Sequence, residues 1–223
     1  FELGLGGNGE LPPVRIFDGK NELFINGIAD RVDGYMHEGK LYLRIIDYKT
    51  GKKSFSLSDI WYGMGMQMLL YLFALEQSGY ARYGAEIIPA GVLYVPARDT
   101  IVPANGDLSD EELEKEKAKM RKRSGLILDD MDIISAMENS EKPEYIPVSF
   151  KKDGSISAEN LASCEQFKAL HTHVDERLLE LSENLSGGKI EALPYYRGET
   201  DNACLYCPYV SVCRFDEKRD SRR

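Results

Sequence analysis

The stretch Leu41-Tyr42-Leu43-Arg44-Ile45-Ile46-Asp47-Tyr48-Lys49 is a largely apolar run that closes on an acid and a lysine. Upstream lies Gly27-Ile28-Ala29-Asp30-Arg31-Val32-Asp33, with His37-Glu38-Gly39-Lys40 between the two. Residues 24–35 and 40–50 are rich in β-branched and aromatic types, so they read as a hairpin whose two-residue turn is Glu38-Gly39. That register sets Asp30 opposite Asp47 and Asp33 opposite Arg44. Because side chains alternate along a strand, Asp47 and Lys49 share a face with Asp30 and with Ile28, opposite Lys49. The two acids are then expected about 5 Å apart at Cβ, where like charges oppose pairing unless a cation lies between them. Mg2+ or Mn2+ suits such an oxygen-rich site, which keeps several waters. An ammonium beside the two acids can position an attacking water and offset charge developing on a phosphate, which points to metal-dependent phosphodiester cleavage. The competing reading is a solvated salt-bridge patch; the apolar Val32, Leu43 and Ile45 on the same face weigh against it. Asp33, facing the other way with Arg44, reads as structural.

Downstream, Ser58 is a candidate N-cap ahead of Asp59, the run from Ile60 to Gln77 has the apolar content of a helix, and Gly79 is its stop. Gln67 and Tyr71 stand one turn apart on one helix face. A glutamine among Met64, Met68 and Leu75 needs a polar partner if buried, or sits at the helix rim bonded to backbone.

The succession Gly27-Ile28-Ala29-Asp30-Arg31-Val32-Asp33, Ile45-Ile46-Asp47-Tyr48-Lys49-Thr50-Gly51 and Gln67-Met68-Leu69-Leu70-Tyr71 resembles the RecB-like branch of the PD-(D/E)xK nucleases. The resemblance implies Asp30 and Asp47 as metal ligands, Lys49 as the catalytic lysine, and Gln67 and Tyr71 as the pair lining the site from a helix. It also implies a further ligand, often a histidine, from a helix before the first strand. Residues 1–23 hold no His and no convincing helix. His37 lies at the wrong end of the hairpin, and His171 and His173 read as ordinary surface or core residues.

Near the other end, Cys204-Leu205-Tyr206-Cys207-Pro208-Tyr209-Val210-Ser211-Val212-Cys213 clusters three thiols, two of them at the spacing by which a turn delivers both to one metal. Three ligands leave a tetrahedral site incomplete. A zinc knuckle completed elsewhere and free core cysteines are the alternatives. The resemblance implies three ligands of a [4Fe-4S] cluster whose fourth cysteine comes from far upstream. The remaining cysteine, Cys164, reads as a small buried core residue in a helical stretch from Ala158 to Leu185. Without the fourth ligand the site is expected to be empty or to take zinc.

At 223 residues, 43% hydrophobic and 29% charged, the chain is long enough for one sizeable core and fits one domain with insertions. The apolar stretch Met64 to Leu75 is too short for a bilayer span, neither a secretory signal nor a transit peptide is read at the start, and clustered thiols suit a reducing compartment. The expected location is the cytoplasm. A net charge of −9 excludes a general nucleic-acid coat but not a nuclease whose basic strips are local. Candidate strips are Lys117 to Arg123, largely the solvated face of a helix that starts acidic, and Arg214 to Arg223.

Elsewhere, Ala90 to Val95 reads as a buried strand ending at Pro96, and Tyr145 to Phe150 as a short edge strand. The expected organisation is a leading segment or linker at 1–23, including the glycine-rich Gly4 to Gly9, and a nuclease domain at 24–216. Within that domain 97–144 is a helical insertion and 198–216 the cysteine segment; 217–223 is a tail. The expected fold is α/β, a restriction-endonuclease-like mixed sheet flanked by helices. No ATP-binding loop is present, since the Gly-Lys pairs at 19, 39 and 51 fall in turns. The text of the insertion resembles part of a bacterial helicase-nuclease, which implies DNA, single-stranded ends in particular, and a helicase subunit as partners. A CRISPR-adaptation exonuclease, a non-catalytic DNA clamp and a zinc-stapled scaffold are the rival readings.

Overall fold

The computed structural model describes residues 3–7, 9–17, 19–51, 53–97, 109–213 and 215. Four short strands lead in: β1 (Leu3–Leu5), β2 (Val14–Phe17), β3 (Glu22–Ile25) and β4 (Gly27–Ala29). The long hairpin follows as β5 (Arg31–His37) and β6 (Lys40–Lys49), then α1 (Leu57–Trp61), α2 (Gln67–Ser78), α3 (Tyr80–Tyr83) and β7 (Glu86–Pro96). Next come α4 (Asp110–Arg121), β8 (Ser124–Leu128), α5 (Met131–Met137), β9 (Val148–Phe150), β10 (Ile156–Ala158), β11 (Leu161–Ala162), α6 (Cys164–Ser186) and α7 (Val210–Cys213).

The hairpin has the register its sequence predicts, pairing Arg31 with Ile46 and His37 with Lys40, and its turn places Glu38 (φ 48) and Gly39 (φ 76) in the left-handed region. Around it runs a five-stranded mixed sheet in the order β11-β8-β7-β6-β5, with β6 and β7 parallel. On the front face Leu41, Leu43 and Ile45 are buried against α2, which is apolar nearly all round, and against Phe167, Val174 and Leu178 of α6. The rear face buries Ile46, Leu93 and Ile127 against Ile134 of α5 and Ile146 and Val148. The sheet is thus covered on both sides, as its near-continuous apolar strands require.

One expectation is narrowed and three are corrected. Of the two alternatives for residues 1–23, the described ones behave as a leading segment rather than a linker, because β1 pairs with β4 and Leu3, Leu5, Leu11 and Ile16 join the front core. The segment 97–144 is more than a helical insertion: Ser124–Leu128 is a strand inside the main sheet, and so short an apolar run has no periodicity with which to announce that. Residues 98–108 of that segment, and the basic tail apart from Phe215, lie outside the described residues. The helix expected from Ile60 to Gln77 is two, since Ser56 rather than Ser58 caps α1, and Gly63 (φ 81) and Gly65 (φ 66) turn the chain before α2 begins at Gln67. Cys164, expected in the core, is the exposed first residue of α6, because the short strands β10 and β11 precede it and delay the helix start.

Residues Leu181–Arg223 make up a separate unit. It holds the end of α6, the short α7 and a turn closed by the Tyr196–Asn202 bridge, with Asn202 donating to Gly198 O at 2.8 Å and accepting from Cys204 N at 3.0 Å. Among the described residues no helix is long and apolar enough to cross a membrane.

Candidate active site

Asp47 owes its burial to the strand that carries it. It continues the face of Leu43 and Ile45 and is 6% exposed, the one acid buried among the described residues. Lys49, next on that face, brings Nζ to 2.5 Å from Asp47 Oδ2; beyond this ion pair that oxygen accepts no hydrogen bond. A buried carboxylate is costly unless it is paired, and among the described residues Lys49 is the one ion-pair partner this one has.

Asp30 approaches by a route the sequence does not reveal. It lies in a bend between β4 and β5 rather than on a continuous strand, because Gly27–Ala29 pairs with β1. The ladder with β6 stops at Arg31, which leaves Tyr48 N–H without a strand carbonyl; the Asp30 carboxylate accepts it at 3.0 Å. Asp30 is thereby fixed to the residue between Asp47 and Lys49. Ile28, expected beside them, pairs with Gly4 and is 59% exposed.

The helical pair is bonded internally: Gln67 Nε2 donates to Tyr71 Oη at 3.2 Å. Tyr71 is buried while Gln67 is exposed on the first turn of α2, so the rim position applies, with a side chain rather than backbone as partner. Tyr71 lies against Gly27, where a Cβ would fall 2.3 Å from the phenol oxygen. Glycine there lets the helix bring Gln67 and Tyr71 to the strand that leads directly into Asp30.

Sequence reading missed two neighbours. Tyr94 pairs with Asp47 across β6–β7 and is buried, and Lys49 Nζ stands 5.9 Å from its ring centre. Burial, then the negative charges of Asp47 and Asp59, push the Tyr94 hydroxyl above its ordinary range, which also brings the α1 acid Asp59 into the electrostatics of the site. The strand of Tyr94 was legible, but its partner was not. Asp33 is structural as expected: burial raises its pKa, but hydrogen bonds from Arg31 and Arg44 outweigh that and hold it below the usual range.

Two carboxylates and an ammonium fit a hard divalent cation, which needs only one or two protein acids and takes its other ligands from water. The sulfur site fits its expectation less well. Cys207 N donates to Cys204 O in a turn, and Cys204 and Cys207 are half-buried while Cys213 is exposed. Among the described residues no three His, Cys, Asp or Glu side chains gather as a metal-binding group.

Residues 1–214 match the family model of the PD-(D/E)XK nuclease superfamily, and the chain belongs to that superfamily. Similar proteins include the ATP-dependent helicase/deoxyribonuclease B-subunit of Acetivibrio thermocellus, 39% identical over 220 residues, 97% of this chain and 19% of the relative. The protein of the same name from Caldanaerobacter subterraneus subsp. tengcongensis is 41% identical over 219 residues, 96% of the chain and 19% of the relative. That of Clostridium acetobutylicum is 36% identical over 223 residues, 99% of the chain and 19% of the relative. The chain spans about a fifth of the length of these curated relatives.

Proposed function

We propose that the chain is the DNA-hydrolysing domain of an AddB-type helicase/deoxyribonuclease subunit. In this reading it has a restriction-endonuclease-like fold and trims single-stranded ends during double-strand-break repair and recombination. The observation that carries this is the buried Asp47 carboxylate, paired to Lys49 and flanked through Tyr48 by Asp30, in a chain of the PD-(D/E)XK superfamily. Asp30 and Asp47 hold Mg2+ or Mn2+, which when bound supplies charge stabilisation to the phosphate and lowers the pKa of water. Lys49 orients the water and neutralises the phosphate oxygens. Gln67 and Tyr71 support the metal-binding end of the strands, Tyr71 by its contact with Gly27.

An AddA-type helicase subunit delivers the strand, as the names of the relatives suggest. Cys204, Cys207 and Cys213 supply three ligands of a [4Fe-4S] cluster, completed from outside these residues. Lys49→Ala in the full-length protein is expected to reduce Mg2+-dependent release of nucleotides from end-labelled single-stranded DNA by roughly 10²-fold or more. Parental rates in that variant exclude the mechanism. Calorimetry with Mn2+ separates it from a non-catalytic clamp, which binds no ion at the acids.

A further inference from the structure

Alternation along β6 sends Asp47 and Lys49 to the front of the sheet and Tyr48 to the rear. There Arg31 Nη1 donates to Tyr48 Oη at 3.2 Å. Tyr48 pairs with Val95 of β7, and Tyr94 pairs with Ser124 of β8. Arg123, one residue before Ser124, therefore extends the row of Tyr48 and Val95. Two strand spacings, about 10 Å, separate it from Tyr48. Its amide donates to Tyr145 O at 2.8 Å, and its guanidinium stands over the Tyr145 ring at 5.7 Å. Tyr48 is 43% and Tyr145 44% exposed, and Arg31 is also open to solvent.

The patch has positive charge left over in a chain of net charge −9. Its acids are engaged: Asp33 accepts from Arg31 and Arg44, while Glu138 accepts the amides of Glu144, Tyr145 and Ile146. Among the described residues no carboxylate lies within ion-pair distance of Arg123. Burial first, then Arg44 and Arg31, disfavour the Arg123 charge, with Glu138 and Tyr48 opposing. An acidic protein segment would satisfy the arginines alone. Exposed phenol rings beside two of the guanidinium groups match a ligand that alternates phosphates with flat bases.

We propose that Arg31, Tyr48, Arg123 and Tyr145 form a seat for single-stranded DNA on the rear of the sheet, arginines on phosphates and rings under bases. The proposal rests on the nuclease reading and deepens it. Tyr48 is bonded in chain to both Asp47 and Lys49, so a strand rounding the outer edge at β5 reaches the seat within a nucleotide or two of the scissile phosphate.

The test uses the full-length protein with single-stranded oligonucleotides carrying 5-iodouracil near the cleaved end. Photo-crosslinks are expected at Tyr48 or Tyr145. Arg31→Gln, Arg123→Gln and Tyr145→Leu should each raise KM about tenfold with kcat unchanged. Each arginine change should also lower the salt slope of kcat/KM by about one, and Arg31→Lys should restore most of the KM. Unaltered KM and salt slope in folded variants, or crosslinks only outside the patch, overturn the seat while leaving the nuclease standing. Absence of metal-dependent cleavage in the parent overturns the nuclease reading, and the crosslinks still judge the seat.

Discussion

A carboxylate 6% exposed at the end of an apolar strand is destabilising unless paired, and Asp47 is paired on one side only, by Lys49. Asp47→Asn keeps the shape and removes the charge. It is expected to lower cleavage by roughly 10²-fold or more while shifting the melting temperature by only a few degrees. A variant that melts far below the parent would instead make Asp47 a structural anchor. Gly27 acts through its neighbour: an added Cβ would fall 2.3 Å from Tyr71 Oη, so the ring must move and carry Gln67 with it. Gly27→Ala should cost about 1–3 kcal/mol in denaturant unfolding and reduce activity as well; equal stability to the parent would show that the ring has slack.

At the scale of elements, a bulge in β7 decides what stands beside Asp47. The register shifts between Leu43 and Arg44, so Leu43 pairs with Pro89 but Arg44 with Gly91. Ala90 is the extra residue, and past it the front-facing positions become Val92 and Tyr94. A Cβ at Gly91 would lie 2.6 Å from Leu126 O, so Gly91→Ala is expected to destabilise the sheet by at least about 1 kcal/mol. A second element-level device joins α2 to α6. His171 of α6 stacks on Phe73 at 4.3 Å, bonds Glu76 at 3.0 Å and Gln77 at 3.0 Å, and lies 3.7 Å from Asp175.

The Glu76 bond, aided by Asp175 against the opposing effect of burial, raises the His171 pKa. The folded chain therefore holds this proton more tightly than the unfolded one. The added stability is full below about pH 6.5, the unfolded value, and fades as pH rises through the raised folded pKa. Asp175, raised by burial, acts with the same sign in the acid range. In thermal melts across pH 5 to 8, the deficit of His171→Gln should be widest at low pH and shrink on raising it. A deficit independent of pH would assign the residue to packing on Phe73 alone.

For the whole molecule, the sulfur-rich unit is the part whose chemistry outruns its geometry. Three thiols sit in one short segment, yet no three metal-binding side chains are gathered among the described residues. If a cluster forms, the full-length protein should carry iron and sulfide and absorb near about 400 nm, and Cys204→Ser should abolish both. Colourless, zinc-loaded protein would refute the cluster and favour a zinc staple.

Local text was enough for the hairpin register, the α/β class, and the placing of Asp47 and Lys49 on one face. Those properties depend on alternation and a two-residue turn, both written in adjacent residues. The same text left residues 1–23 open between a linker and a leading segment and hid Ser124–Leu128, because the pairings of β1 and β8 are with distant strands. Only the tertiary structure put Asp30 in a bend bonded to Tyr48 N, Tyr71 against Gly27, and Tyr94 beside Asp47. Each of these depends on which strands meet and where a bulge falls, and long-range packing sets both.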